Sequence, residues 1–338
     1  MKDLKDYRLL KHNTFGIDVS CKRFLEYASV DEAMELTASL TEEDDPLLII
    51  GEGSNLLLKG DYPGTVIHST VHGIEVQPTT DGYWLLRCGS GELFDDVVAY
   101  AVAHGYYGME NLSLIPGEVG ASAVQNIGAY GVEAKDFIVE VEAVEIVTGR
   151  IVKFTNTECE YGYRQSKFKH DWKEHFLMTH VTYRLSSTFN PKLSYGNICS
   201  KLAEKHIKNP TAEELRNVII EIRQEKLPDP KIIGNAGSFF MNPIVDEAKY
   251  KEMSVVYPQM PFYRISENAY KIPAGWMIEQ CGWKGKTLGK AGVYEKQALV
   301  LVNLGGATGE EIIALYHAVQ HDVKARFGIA INPEVNIR

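Results

Sequence analysis

A chain of 338 residues has room for two or three domains, each with its own core. Its formal net charge of −10 argues against nucleic acid as the main partner, because phosphate contacts need a basic face, but leaves room for a small anion held by local Lys and Arg. The five cysteines are scattered and form no CxxC pair, which favours a reducing compartment over a disulfide framework and offers no zinc site; no apolar run approaches the roughly 18 residues of a membrane helix, so a cytoplasmic protein is expected.

In chain order, short apolar or alternating runs predict strands at PLLIIG (46–51), GTVIHS (64–69), YWLLRCG (83–89), VEAVEIV (141–147), FLMTHVTYRL (176–185) and ALVLVN (298–303). One amphipathic helix is expected near Phe94–His104. Ser29 with Glu32, Thr211 with Glu214, and Thr308 with Glu311 have capping-box spacing. The last of these opens a helix whose Ile312, Tyr316, Val319 and Val323 share a face, with Gly328 as its stop. Strands dominate without regular β–α alternation, so the fold class is α+β. KLPDPK (226–231) carries two prolines after a helix and reads as a boundary, placing domains at 1–227 and 228–338.

Five segments carry candidate chemistry. LLIIGEGSNLLLKG (47–60) is a strand running into a glycine turn whose N–H groups can cradle a diphosphate. It is not the GxGxxG fingerprint, since Leu56 stands where the third glycine belongs. LIPGEVGASAVQNIGAYG (114–131) has small residues and no helix or strand pattern, as expected of a long loop wrapped around a flat ligand. In ECEYGYRQSKFK (158–169), Arg164 suits a carboxylate, or stacking on Tyr161 or Tyr163. GNAGSFFMNP (234–243) sets Ser238 at a tight turn, with Phe239 and Phe240 expected to shield its hydroxyl from water. NPEVNIR (332–338) holds Glu334 in an expected strand. Two further matches fail: the P-loop-like GWKGKT would need glycine where Gln280 stands, and His317 with His321, one helical turn apart beside the apolar face, has no glutamate after the first histidine, so no metal is expected.

In their order, GEGSN, IPG with QNIGAYG, GYR, KLPDPK and GNAGSFFMNP resemble the UDP-N-acetylenolpyruvoylglucosamine reductases, from NTFG (13–16) to PEV (333–335). The resemblance implies an FAD domain of vanillyl-alcohol-oxidase (PCMH) type in two parts, about 1–68 and 69–227. A smaller α+β substrate domain follows, its last strand returning to the active site. Gly51, Glu52, Gly53, Ser54 and Asn55 then match the diphosphate turn. Pro116, Gly117, Gly120, Ala121, Gln125, Asn126, Gly128, Ala129, Tyr130 and Gly131 match the flavin loop. Arg164, Ser238 and Glu334 match the catalytic trio, and Tyr195, Lys226, Asn242 and Gln297 the substrate contacts, with Tyr195 typical of the longer form of the enzyme.

The pattern is broken at Asn336, where arginine is expected, and at Glu118 and Ala121, which replace the more usual residues. No histidine stands in GEGSN, so FAD is expected to be non-covalent. The implied activity is NADPH-dependent reduction of an enolpyruvyl nucleotide sugar for peptidoglycan synthesis, and with it cell shape and division, by a monomer. Rival readings are an FAD-dependent alcohol or hydroxy-acid oxidase or dehydrogenase of the same fold, and a flavin- or nucleotide-sugar-binding module without turnover.

Overall fold

In the computed structural model, which describes residues 1–338, the chain falls into two units. One comprises Met1–Tyr7, Cys21–Glu52 and Tyr62–Gln224; the other comprises Arg8–Ser20, Gly53–Asp61 and Glu225–Arg338. The C-terminal region divides off between Gln224 and Glu225, and the short segments 8–20 and 53–61 group with it.

In the first unit, a four-stranded sheet runs in the order Lys2–Arg8, Ser20–Tyr27, Tyr62–Ser69, Leu47–Ile50. Tyr62–Ser69 is parallel to both of its neighbours. The chain can enter it only as glycine at 64, where a Cβ would stand 1.9 Å from the Pro46 carbonyl oxygen. The helix Val30–Ser39 buries Ala33 and Leu36 against Leu25, Tyr27 and Ile67. A second sheet orders Ile151–Thr155, Ile138–Glu145, Phe176–Ser186, Tyr83–Gly89 and Ile74–Pro78, all of its pairs antiparallel. The helix Phe94–Ala103 lays Phe94, Val97, Val98 and Ala101 into its core. That i, i+3, i+4, i+7 stripe is the amphipathic pattern read from the sequence.

The segment 114–131 is not the irregular loop expected. Val119–Gln125 is a helix, and Gly128–Ala129 pairs with Val132–Glu133 as a hairpin. Small residues are there for packing: a Cβ on Gly120 would lie 3.0 Å from that of Ser90, while Val119, Ser122 and Ala123 are buried. Seven residues make fewer than two turns, too few to display a helical period.

The second unit stacks an antiparallel sheet, Gly234–Ser238, Val300–Asn303, Ala291–Val293 and Thr287–Leu288, on the helix Gly309–Phe327. That helix closes its capping box at Thr308 and Glu311, and Gly328 ends it in the left-handed conformation, φ 67°. Ile312, Tyr316, Val319 and Val323 face the core as read. A three-stranded sheet, Ile244–Asp246, Ala269–Lys271 and Tyr263–Ser266, packs beside the helix Glu247–Val256, and Asn336–Ile337 runs parallel to Leu56–Leu57. The mixture of helices with largely antiparallel sheets is α+β.

Candidate functional site

The glycine turn GEGSN is divided between the units, with Gly51 and Glu52 in the first and Gly53, Ser54 and Asn55 in the second. Each half can be built from its own surroundings.

In the first unit, the strand Leu47–Ile50 delivers Gly51 against Glu118, whose Oε2 would stand 3.0 Å from a Cβ at position 51. The carboxylate of Glu52 accepts a hydrogen bond from the Gly117 N–H at 2.9 Å, tying the turn to the segment Pro116–Gly131. Along the helix Val119–Gln125, Gly120 is buried, whereas Ala121 and Gln125 are half-exposed one turn apart. Half-exposed Gly128, Ala129 and Tyr130 follow. Ala121, Gln125, Gly128 and Ala129 expose a run of small or uncharged side chains that suits close contact with a flat ring.

Asn126 is fully buried and left-handed, φ 45°. Its amide donates to the Gly162 carbonyl at 2.7 Å and accepts from the Lys135 N–H at 3.0 Å, locking the hairpin that follows. Tyr130 and Gly131, at φ 49° and 79°, make the type I′ turn of that hairpin. Asn111 holds the turn by donating to the Tyr130 carbonyl at 2.9 Å, and the Tyr195 side chain packs over Gly131.

Arg164 sits in a tight turn closed by reciprocal backbone bonds between Gly162 and Gln165, at φ 57°. That left-handed position suits glycine or asparagine, so a long side chain there carries backbone strain. The guanidinium donates to the Gly128 carbonyl and, at 3.4 Å, to that of Asn126. It also lies 5.4 Å from the Tyr163 ring centroid, one of the two tyrosines offered for stacking. Gly128 makes room: a Cβ there would approach the arginine Nη1 to 2.9 Å.

In the second unit, Gly53 (φ 71°) has no space for a side chain, since a Cβ would stand 2.1 Å from the His12 carbonyl oxygen. Thr14 bridges that turn to the serine strand: its N–H donates to the Gly53 carbonyl at 3.3 Å and its hydroxyl to the Asn235 carbonyl at 2.6 Å. Asn235, buried, accepts the Gly237 N–H on its side-chain oxygen at 2.9 Å, curling the strand so that Gly237 takes φ 67°. The register slips between Asn235 and Ser238, leaving Ser238 half-exposed at the end of a bulged strand rather than in a tight turn.

Phe239 and Phe240 do not shield the hydroxyl. Both are at most 1% exposed and pack into the core, with ring centroids 5.5 and 5.8 Å from that of Tyr316. They anchor the backbone that carries Ser238.

Far apart along the chain, Ser238 and Glu334 are joined through the backbone, because the Glu334 N–H donates to the carbonyl of Phe239, next to Ser238, at 2.8 Å. Asn55 reaches the same place, donating to the Glu334 carbonyl at 3.3 Å. Glu334 lies in a bend before the strand Asn336–Ile337, not in a strand itself. Asn336, in the position expected for arginine, donates from its side chain to the Asn55 carbonyl at 3.1 Å. Asn242 and Gln297 converge on the first turn of the helix Ala274–Gln280: Asn242 accepts from the Ala274 N–H at 2.9 Å, and Gln297 Oε1 is 3.1 Å from a Cβ at Gly275. Lys226 is exposed at the end of the helix Ala212–Lys226.

Thr14 and Asn235 were not read from the sequence as site-builders. A buried asparagine beside a glycine, in GNAG, was the available signal, since a buried amide must find partners and so fixes the backbone around it. No group of three or more His, Cys, Asp or Glu side chains is arranged to hold a metal ion. No helix is long and apolar enough to cross a membrane.

Residues 22–155 match the model of an FAD binding domain, and residues 229–338 match that of the UDP-N-acetylenolpyruvoylglucosamine reductase C-terminal domain. Proteins named UDP-N-acetylenolpyruvoylglucosamine reductase are 56% identical in Bacteroides fragilis, over 98% of each chain, and 44% identical in Flavobacterium johnsoniae, over 100% of each. The crystal structure of UDP-N-acetylenolpyruvylglucosamine reductase from Thermus caldophilus shares the fold, with a TM-score of 0.67 at 21% identity over 99% of this chain and 98% of that one. With both domain models in sequence and near-complete coverage by such relatives, the chain belongs to the UDP-N-acetylenolpyruvoylglucosamine reductase family of FAD-domain oxidoreductases.

Proposed function

We propose that this protein reduces UDP-N-acetylglucosamine enolpyruvate to UDP-N-acetylmuramate with electrons from NADPH, in the cytoplasm, as a step of peptidoglycan precursor synthesis. Gly51–Asn55 would hold the FAD diphosphate, and Pro116–Gly131 the flavin. When bound, the flavin supplies the reducing equivalent for the enolpyruvyl double bond. The observation that carries the reading is the Glu334 N–H to Phe239 carbonyl bond, which ties the backbone next to Ser238 to that of Glu334.

Reducing a double bond conjugated with a carboxylate puts negative charge on C2 and into that carboxylate. Arg164 supplies a fixed positive charge for it, and one such donor is worth roughly 10²–10³ in rate. Carbon C2 must then take a proton. A carbanionic centre is basic enough to accept from an alcohol, so the Ser238 hydroxyl serves as general acid without any lowering of its own pKa. The glycines and Asn235 give that hydroxyl its position, and the buried phenylalanines keep it there. Glu334, half-buried, is the second polar group at C2. Tyr195, Lys226, Asn242 and Gln297 are assigned to the nucleotide sugar.

The reading is tested with the purified protein's absorbance. A yellow protein is expected, bleached by NADPH and restored by the enolpyruvyl nucleotide sugar. Recolouring by oxygen alone, with peroxide formed and no response to the sugar, would instead favour the oxidase.

A further inference from the structure

A buried charged chain lies behind the Gly51–Glu52 turn. His68, next to last in the strand Tyr62–Ser69, sits directly across from Glu26 in the parallel register. Its Nδ1 is 3.3 Å from Glu26 and its Nε2 is 2.9 Å from Glu118, and all three residues are at most 8% exposed. Glu26 is also paired with Lys2. The second oxygen of Glu118 leans over Gly51, and Glu52 lies in the same turn, so two carboxylates border a place assigned to an anion.

Burial pushes the Glu118 carboxyl up, partly opposed by His68. Burial alone would lower the His68 imidazole, but its bonds to Glu118 and Glu26 carry it above its ordinary value. The other charged or titratable groups around this cluster are Glu52, the His72–Glu92 pair at 3.5 Å, and the buried Tyr27 hydroxyl, which donates to the Met178 carbonyl.

We infer that His68 is a positioning residue for FAD: as the buried cation between Glu26 and Glu118, it neutralises Glu118 so that the Gly51–Glu52 turn accepts a diphosphate. This rests on the FAD reading of that turn. A buried carboxylate left without its cation repels a second anion, and a hydrogen bond to a charged group is worth about 1.5–3 kcal/mol, or roughly 10- to 100-fold in affinity.

The sign of the pH dependence follows. Below the raised pKa of His68 the imidazolium covers Glu118. As pH rises through that value the cover is lost, so FAD affinity falls toward alkaline pH.

The test is a titration of FAD into the full-length apoprotein, followed by flavin fluorescence quenching from about pH 6 to 9. The parent should bind more weakly as pH rises. His68→Gln should lose roughly 10- to 100-fold, Glu118→Gln should bind at least as tightly as the parent with a flattened pH profile, and the double variant should recover the affinity of Glu118→Gln. Equal weakening in both single variants with no recovery in the double would mean a purely structural role and would overturn the inference. If His68→Gln does not fold, the pH profile of Glu118→Gln decides alone: a profile as steep as the parent's overturns it. A parent that binds no FAD at any pH would overturn the reading of the turn itself and, with it, this inference.

Discussion

The strand Gly234–Ser238 and the segment Pro116–Gly131 are both rich in small residues, but for different reasons. In the strand each residue answers to one neighbour. Gly234 is squeezed against the Phe15 carbonyl, where a Cβ would stand 2.2 Å away, and Asn235 and Gly237 make the curl. Ser238 is then left on a backbone nailed down by two buried phenylalanines. In the longer segment smallness serves a surface: Gly120 packs inward on Ser90 while Ala121 and Gln125 stay half-exposed. A serine that must deliver a proton needs a rigid backbone, whereas a bed for a flat ring needs a shape.

One pair of substitutions and one single change probe that contrast. The largest effect is expected at Gly234→Ala, whose methyl group meets backbone and cannot be accommodated by a side-chain shift; roughly 3 kcal/mol or more of stability should be lost. Gly237→Ala is its control. There a Cβ meets nothing within 4 Å and only the positive φ is penalised, so about 1 kcal/mol is expected. Chemical-denaturation midpoints measure both, and equal losses would mean that crowding at Phe15 is not what requires the first glycine.

A smaller effect on stability, with a large one on activity, is expected at Arg164→Gly. Relief of the left-handed backbone offsets the lost bonds to Gly128 and Asn126, so stability should change by less than about 1 kcal/mol. Turnover should nevertheless fall by roughly 10²–10³. A variant with unimpaired kcat/KM would leave the arginine a purely structural role.

Much of the fold could be read in the sequence. The helix Gly309–Phe327 shows both its cap and its buried face because it is long enough to repeat its period five times over. Thr211 likewise closes its box with Glu214, at 2.8 and 3.1 Å. The helix Val119–Gln125 could not be read, since small residues chosen for close approach carry no amphipathic contrast. Phe239 and Phe240 misled in another way. Adjacent strand residues should point to opposite faces, but the regular strand stops at Ser238, and the next pairing is a lone bridge from Phe240 to Pro333 that leaves both rings inside. In the Glu26–His68–Glu118 chain, Glu26 and His68 are far apart in sequence and meet only through parallel strand pairing, while Glu118 comes from the start of the helix Val119–Gln125.

The central claim is that the Ser238 hydroxyl supplies a proton to the substrate and takes no part in reducing the flavin. Rapid-mixing absorbance on Ser238→Ala separates the two half-reactions. The account predicts flavin reduction by NADPH at the parent's rate and reoxidation by the enolpyruvyl nucleotide sugar slowed by roughly 10²–10⁴. Equal slowing of both halves, or reoxidation at the parent's rate, would contradict it.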